Sequence, residues 1–245
     1  MFGLVNQDRK THQKKSLKYD AALAEVARGH STDMLNNRFF AHDSPTTGDV
    51  GRRLLAAKVR VMAGGENIAM NRSIERAEAK LMKSPGHRKN ILSDVYTHAG
   101  IGIVRASTGV YYVTQVLATP APKVDLKTAG GDVIKRLNQA RVARGRLPFK
   151  AVPTLNQIAS QQAAAMAEAG KKIEVDISAL AKAAGVEHKQ LSMAHLLTWD
   201  PKELLGAAVF FKPRVGRIGV GFAENRKHRK LGYGIIWAVV VFTND

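Results

Sequence analysis

The chain spells part of itself twice, and no other feature restricts its fold as much. Asn6-Gln7-Asp8-Arg9 returns 132 residues later as Asn138-Gln139-Ala140-Arg141. At the same offset Leu23, Val26, Ala27 and Met34 return as Leu155, Ile158, Ala159 and Met166. Those spacings place four apolar side chains on one face of a helix, so the same buried stripe is written twice in the same phase. Near the end, Ile218-Gly219-Val220-Gly221-Phe222 echoes the Gly100-Ile101-Gly102-Ile103 strand, and residues 234–242 echo the strand that begins Tyr111-Tyr112-Val113. With 245 residues and 45% apolar content there is material for two ordinary cores. Two domains are expected, 1–122 and 123–245, parted at Pro120-Ala121-Pro122. The second is expected to be a degenerate repeat that keeps the core and drops the polar groups. Gln162 stands at the offset of His30, and His195 and Glu203 read as surface or packing residues.

In the first half, a helix is expected over 2–13, followed by an entry loop at 17–20. Asp20 then suits the N-cap of a helix reaching about residue 38. His30 falls on the stripe of that helix and reads as a structural histidine ahead of a catalytic one, which stays a minor candidate. Turn formers surround His42 in Phe39-Phe40-Ala41-His42-Asp43-Ser44-Pro45, which places it on a loop. A short helix is expected over 49–57 and another over 74–83. Ser84 and Pro85 read as the N-cap and first position of a helix running to about 92, with His87 in its first turn. The positive end of that helix would favour a neutral imidazole. Two strands, 99–104 and 110–117, should meet in a hairpin at Ser107-Thr108-Gly109.

Gly64-Gly65-Glu66-Asn67-Ile68-Ala69 sets one carboxylate between a double glycine and an apolar pair, at the mouth of a strand or tight turn. A carboxylate withdrawn from water needs a partner, and His42 and His87 are the candidates. Two neutral imidazoles and one carboxylate can make an open zinc site whose bound water is activated as a nucleophile. The same three groups can instead form a metal-free acid–base pair, or a polar network that only fixes loops. The acid–base reading lacks a nucleophile, because Ser84 is explained as a cap and Ser44 as a turn residue. Nor do His42, Glu66 and His87 follow any local ligand spacing.

Lys and Arg number 38 against 20 Asp and Glu, a formal charge of +18 that favours anionic partners and makes their binding salt-sensitive. The basic residues are spread from Arg9 and Lys10 through Arg53 and Arg141 to Arg226-Lys227-His228-Arg229-Lys230. That spread, with no recognition motif, argues against specific nucleic-acid binding. There is no cysteine, which excludes disulfides and thiolate metal sites. No run is long enough to cross a bilayer, and the opening residues lack the pattern of a signal peptide.

Asn6-x-x-Arg9, Leu17-x-Tyr19-Asp20, Ala27-x-x-His30-Ser31-x-Asp33-Met34, Phe40-x-His42-x-Ser44-Pro45, Gly65-Glu66-Asn67-Ile68-Ala69, Ser84-Pro85-Gly86-His87-Arg88-x-Asn90-Ile91-Leu92 and Gly100-Ile101-Gly102 occur in that order. Together they resemble the bacterial branch of the CAP superfamily, the SCP-like extracellular domains, over about residues 2 to 119. The resemblance implies an α+β fold, an α-β-α sandwich about a mainly antiparallel sheet. It also implies a cleft of two histidines and acidic residues that in some members binds a divalent cation such as zinc. On this sequence the cleft would hold His42, Glu66, Asn67 and His87, with Tyr112 where many relatives carry a strand histidine. The metal ligands would be His42, Glu66 and His87. The family is mostly exported, and a processed chain would reconcile this with the missing leader. The function implied is a secreted, non-enzymatic binding module with a basic surface for anionic cell-envelope polymer or lipid. The alternative is a zinc-dependent hydrolase working in the same cleft.

Overall fold

The computed structural model describes residues 1–212, 216–225 and 234–244. The described residues form two compact units, Met1–Ala121 and those from Pro122 onward, so the division falls inside Pro120-Ala121-Pro122. The basic run 226–230 lies outside the described residues.

In the first unit the helices are α1 (Phe2–Thr11), α2 (Ala21–Asn36), α3 (Val50–Ala56), α4 (Ile74–Lys83) and α5 (Pro85–Ile91). The strands are β1 (Lys18–Tyr19), β2 (Val61–Asn71), β3 (His98–Arg105) and β4 (Tyr111–Pro120). They make one sheet in the order β1-β3-β4-β2, with β1 parallel to β3 and the other pairs antiparallel. Leu23, Val26 and Ala27 of α2 and Leu54 of α3 pack on one face of it, against Val116 and Ala118. Val5 of α1, Ala77 and Leu81 of α4 and Ile91 of α5 pack on the other, against Val113 and Leu117. The result is an α-β-α sandwich in which β2 is an edge strand.

Local chemistry accounts for most boundaries. Asp20 caps α2 by accepting from the Leu23 amide at 3.0 Å, and Asp49 caps α3 by accepting from Arg52 at 2.8 Å. Three expectations are corrected. The entry loop contains β1, because Lys18 and Tyr19 pair with His98 and Ala99. The double glycine does not interrupt the chain: β2 runs through it, and the ring of Tyr96 occupies the space a Cβ on Gly65 would need. Ser84 stands at the N-cap of α5, yet its side chain makes no capping hydrogen bond.

In the second unit α6 (Leu126–Val142), β5 (Lys150–Ala151), α7 (Pro153–Ala169), α8 (Ile177–Ala183), β6 (Leu191–Thr198), β7 (Arg217–Asn225) and β8 (Ile235–Thr243) are joined by two 3-10 turns, Pro201–Gly206 and Ala208–Phe211. The sheet order is β5-β7-β8-β6, again with a two-residue parallel first strand. The polar anchors return at the offset seen in the sequence. Asn6 exchanges two hydrogen bonds with the Leu17 backbone, and Asn138 does the same with Phe149. Arg9 Nε donates to Lys15 O at 2.7 Å, and Arg141 Nε to Leu147 O at 2.8 Å. Arg9, Arg53 and Arg141 are all buried, so these three do not belong to the spread of surface charge.

Candidate functional site

Glu66 lies opposite Val116 in the middle of β2, facing α2 and α3, with its side chain 3% exposed. A carboxylate this dry must be compensated. Arg53 Nη2 donates to Oε2 at 2.5 Å, and His42 Nδ1 lies 2.9 Å from Oε1. The carboxylate can only accept, so His42 carries a proton on Nδ1, and Nε2 is the nitrogen turned outward. The other end of the Arg53 guanidinium donates to the carbonyls of His42, at 3.2 Å, and Gly48. Arg53 thus binds the carboxylate and the histidine loop at once.

His30 comes up from α2, fully buried, and donates from Nε2 to Ala41 O at 3.0 Å, with Glu66 Oε1 3.8 Å away. Burial foremost pushes its pKa down; the Glu66 charge opposes this and the Arg53 charge reinforces it. A neutral ring that holds the start of the loop is a structural histidine. Asp33, one turn later on α2, accepts from Ser44 Oγ at 2.5 Å and from Thr46 Oγ1 at 3.0 Å, tying down the far side of the loop.

Asn67, the next residue on β2, faces the other side of the sheet. Its amide donates to Gln115 Oε1 at 2.9 Å and to the His87 carbonyl at 3.3 Å, and its oxygen accepts from Asn90 Nδ2 at 2.9 Å. Fully buried and satisfied, Asn67 holds α5 against the strand. The ring of His87 then meets that of His42 across the edge of β2, with centroids 6.3 Å apart. The pKa of His87 is lowered first by burial and then by the charge of His42. The direction matches the expected neutral ring, but the causes are burial and the neighbouring histidine.

His42, Glu66, Asn67 and His87 are therefore brought together. Tyr112 is not: it lies opposite Met70, four residues along β4 from the Val116 that faces Glu66, or about 13 Å. The β4 side chain that reaches the polar network is Gln115. The sequence alone assigns no place in the site to Arg53, Asn90, Gln115 or Glu78. One signal was present for Arg53, which shares with Val50 and Leu54 the i, i+3, i+4 spacing of a buried face.

Among the described residues no group of three or more His, Cys, Asp or Glu is arranged to hold a metal ion. Glu66 would be a costly direct ligand, because a cation on either oxygen would compete with the hydrogen bonds from His42 and Arg53. The two imidazoles fit better, because a carboxylate behind His42 orients the ring in the way outer-shell groups orient metal-binding histidines. A cation held there would supply a Lewis acid at the mouth of the cleft.

In the second unit the matching sheet positions are apolar. Val116 lies opposite Gly100, and Val241 opposite Gly219; across the next pair, Glu66 corresponds to Met193 and Asn67 to Ala194, with Val240 in the place of Gln115. His195 packs its ring 6.0 Å from that of Trp237.

Residues 2–117 match the model of the family described as CAP, the cysteine-rich secretory protein family. An uncharacterized membrane protein of Bacillus subtilis (strain 168), YlbC, is 41% identical over 106 residues, which is 43% of this chain and 31% of that protein. A second uncharacterized protein of the same organism, YkwD, is 36% identical over 106 residues, 43% of this chain and 41% of that one. The chain thus spans well under half the length of these curated relatives. Among solved structures, an extracellular protein containing a SCP domain from Bacillus anthracis str. Ames is 39% identical with a TM-score of 0.45, covering 48% of this chain and 38% of that one. No helix among the described residues is long and apolar enough to cross a membrane. The first unit, over residues 2–117, is a CAP/SCP domain.

Proposed function

We propose that the chain is an exported, non-enzymatic binding module. Its cleft at His42 and His87 receives a polar ligand group or a divalent cation, and its basic surface engages anionic or amphiphilic cell-envelope material. The observation that carries this reading is the commitment of Glu66. With one oxygen on Arg53 and the other on His42, the carboxylate holds the cleft in shape, and acid–base work by it would have to break one of those contacts. The outward Nε2 of His42 and the neutral ring of His87 are the groups left to meet a ligand. Export is supported by the secretory description of the family. The second unit, in this reading, is a degenerate CAP copy, supported by the shared strand order and the anchors at Asn138 and Arg141.

The test is retention of the purified chain on anionic polymer and on anionic liposomes as salt is raised, together with zinc analysis of the wild type and His42→Ala. Salt-sensitive retention is expected, with any bound zinc lost in the variant. Absence of retention on either surface at low salt would remove the binding reading. Zinc that stays stoichiometric in His42→Ala would remove the cation from this cleft.

A further inference from the structure

We propose that the basic groove where α1 turns into β1 is a binding site for a linear phosphate polymer. The inference rests on the anionic-ligand reading above and gives that reading a location, on a different part of the first unit from the histidine cleft. The groove has a volume of about 710 Å³, and its charged walls are Arg9, Lys14, Lys15, Lys18 and Asp94, with His98 beside them.

Its floor is a buried cation. Arg9 is 1% exposed, and its guanidinium donates only to neutral carbonyls: Lys15 O at 2.7 Å, Ile91 O at 2.6 Å and Ser93 O at 2.9 Å. Asp94, the one carboxylate on the wall, bonds Lys14 at 2.6 Å; its single charge is shared with Arg9 and Lys15, so the groove keeps an excess of positive charge among the described residues. Four cations against one anion in a concave wall focus a positive field, which a flat surface with the same lysines would not do.

The backbone is bent to present these side chains. Gln13 holds φ at 56°, in the left-handed region a glutamine seldom occupies, and the amide of Lys14 bonds back to Arg9 O at 2.8 Å. At the same place in the second unit, 132 residues on, glycine stands at the turn: Gly145, φ 67°. Lys14 and Lys15 are replaced there by Arg146 and Leu147. The first unit therefore keeps a side chain and a lysine pair where the backbone alone would prefer glycine.

Compact ammonium groups suit phosphate, whereas pairing with carboxylate favours the guanidinium fork that no exposed side chain offers in this groove. A concave wall admits a chain and not the plane of a bilayer. Of its two rings, Tyr96 sets its hydroxyl end on Gly65 and His98 bonds Thr97 Oγ1, so the groove offers no row of aromatic faces to successive bases, which argues for a polymer without them.

The experiment measures binding of inorganic polyphosphate of defined length over a range of salt. Lys14→Gln/Lys15→Gln/Lys18→Gln should weaken binding about tenfold or more at low salt and reduce the log–log salt slope by about 2. Lys171→Gln/Lys182→Gln/Lys189→Gln removes the same charge from exposed positions of the second unit, and should weaken it only about two- to threefold. Asp94→Asn, which releases Lys14, should tighten it. Equal losses in the two triple variants would overturn the inference in favour of a diffuse field. So would tighter binding to phosphatidylglycerol vesicles, or to an oligothymidylate of equal charge. A wild type that ignores polyphosphate but is retained on another anionic surface sinks this site alone; one retained on none sinks the proposed function as well.

Discussion

Arg53 Nη2 lies 2.5 Å from Glu66 Oε2, with the two side chains only 6% and 3% exposed. This contact joins the short helix after the histidine loop to the edge strand, and it determines how His42 is held. Two charges this dry are costly to separate, because whichever remains keeps its desolvation penalty and loses its counter-charge.

Arg53→Met is therefore expected to lower stability by about 3–5 kcal/mol at neutral pH. The urea midpoint measures this, and Arg53→Met/Glu66→Gln should recover part of the loss, because a neutral amide replaces the stranded carboxylate. A loss under about 1 kcal/mol in the single variant, the range of exposed pairs, would mean that water screens this contact.

Glu78 titrates in the opposite sense from an ordinary surface carboxylate. Buried on α4 and beside Asp8, its pKa is pushed up to about 7 from 4.5, although Gln115 Nε2 donates to it at 2.5 Å. Since the folded value lies above the unfolded one, its contribution is whole below about pH 4.5 and is lost as pH rises through 7. Glu78→Gln keeps an acceptor for Gln115 and offers Asp8 a permanent donor. The variant should match the wild type near pH 4.5 and exceed it by on the order of 2–3 kcal/mol at pH 8, read from chemical denaturation. Parallel stability curves for the two proteins would refute this.

His30 acts on the acid side. Its folded pKa is lowered by burial first, so proton uptake favours the unfolded chain, and stability falls as pH drops below the unfolded value of 6.5. His30→Gln supplies an amide N–H for the Ala41 carbonyl without a titrating ring, and glutamine already stands at the matching place in the second unit, Gln162. The stability difference between pH 7.5 and pH 5 should shrink in the variant. An unchanged difference would assign the acid limb to other groups, among them His87 and His195, whose pKa values burial also lowers.

Helices were readable because their information is local. The stripe of Leu23, Val26, Ala27, His30 and Met34 names a buried face within one segment, and all five are buried. The site was only half readable, because part of it is decided by pairing across the sheet. Whether Tyr112 or Gln115 meets Asn67 depends on the β2–β4 register, which no run of adjacent residues reveals. Arg53 reads as surface charge until Glu66, distant in sequence, is known to face it. The double glycine reads as a turn until Tyr96 is known to lie over Gly65.

The loop that carries His42 should depend on Asp33. Burial acts to raise its pKa, and hydrogen bonds from Ser44, Asn37, Thr46 and Thr47 more than reverse this, so the carboxylate stays ionised well below the usual range. Hydrogen bonds to a charged group are worth about 1.5–3 kcal/mol, so Ser44→Ala should cost about 1–2 kcal/mol. It should also speed hydrogen exchange of the amides of Thr46 and Thr47, which donate to Ser44 Oγ at 3.0 and 2.9 Å. Exchange rates equal to wild type would show that the loop is held without Ser44, by Arg53, His30 and the contact of Thr46 with Asp33.

Helix and sheet come into backbone contact at glycines in both units. A Cβ on Gly100 would meet the backbone of Leu23 and Ala24, and one on Gly219 the backbone of Leu155 and Asn156. Gly102 and Gly221 stand in the same relation to Ala27 and Ala159, two positions on. Main-chain atoms cannot rotate aside, so each added methyl must lift the whole helix, and overpacking of this kind costs about 1–3 kcal/mol or more. Gly100→Ala and Gly219→Ala should each destabilise, by similar amounts, and the double variant should lose nearly the sum, since the two sites share no partners. Chemical denaturation of the three variants is the measurement. If Gly219→Ala were tolerated while Gly100→Ala was not, α7 would sit on its strands more loosely than α2 does, and the likeness of the two units would stop at strand order.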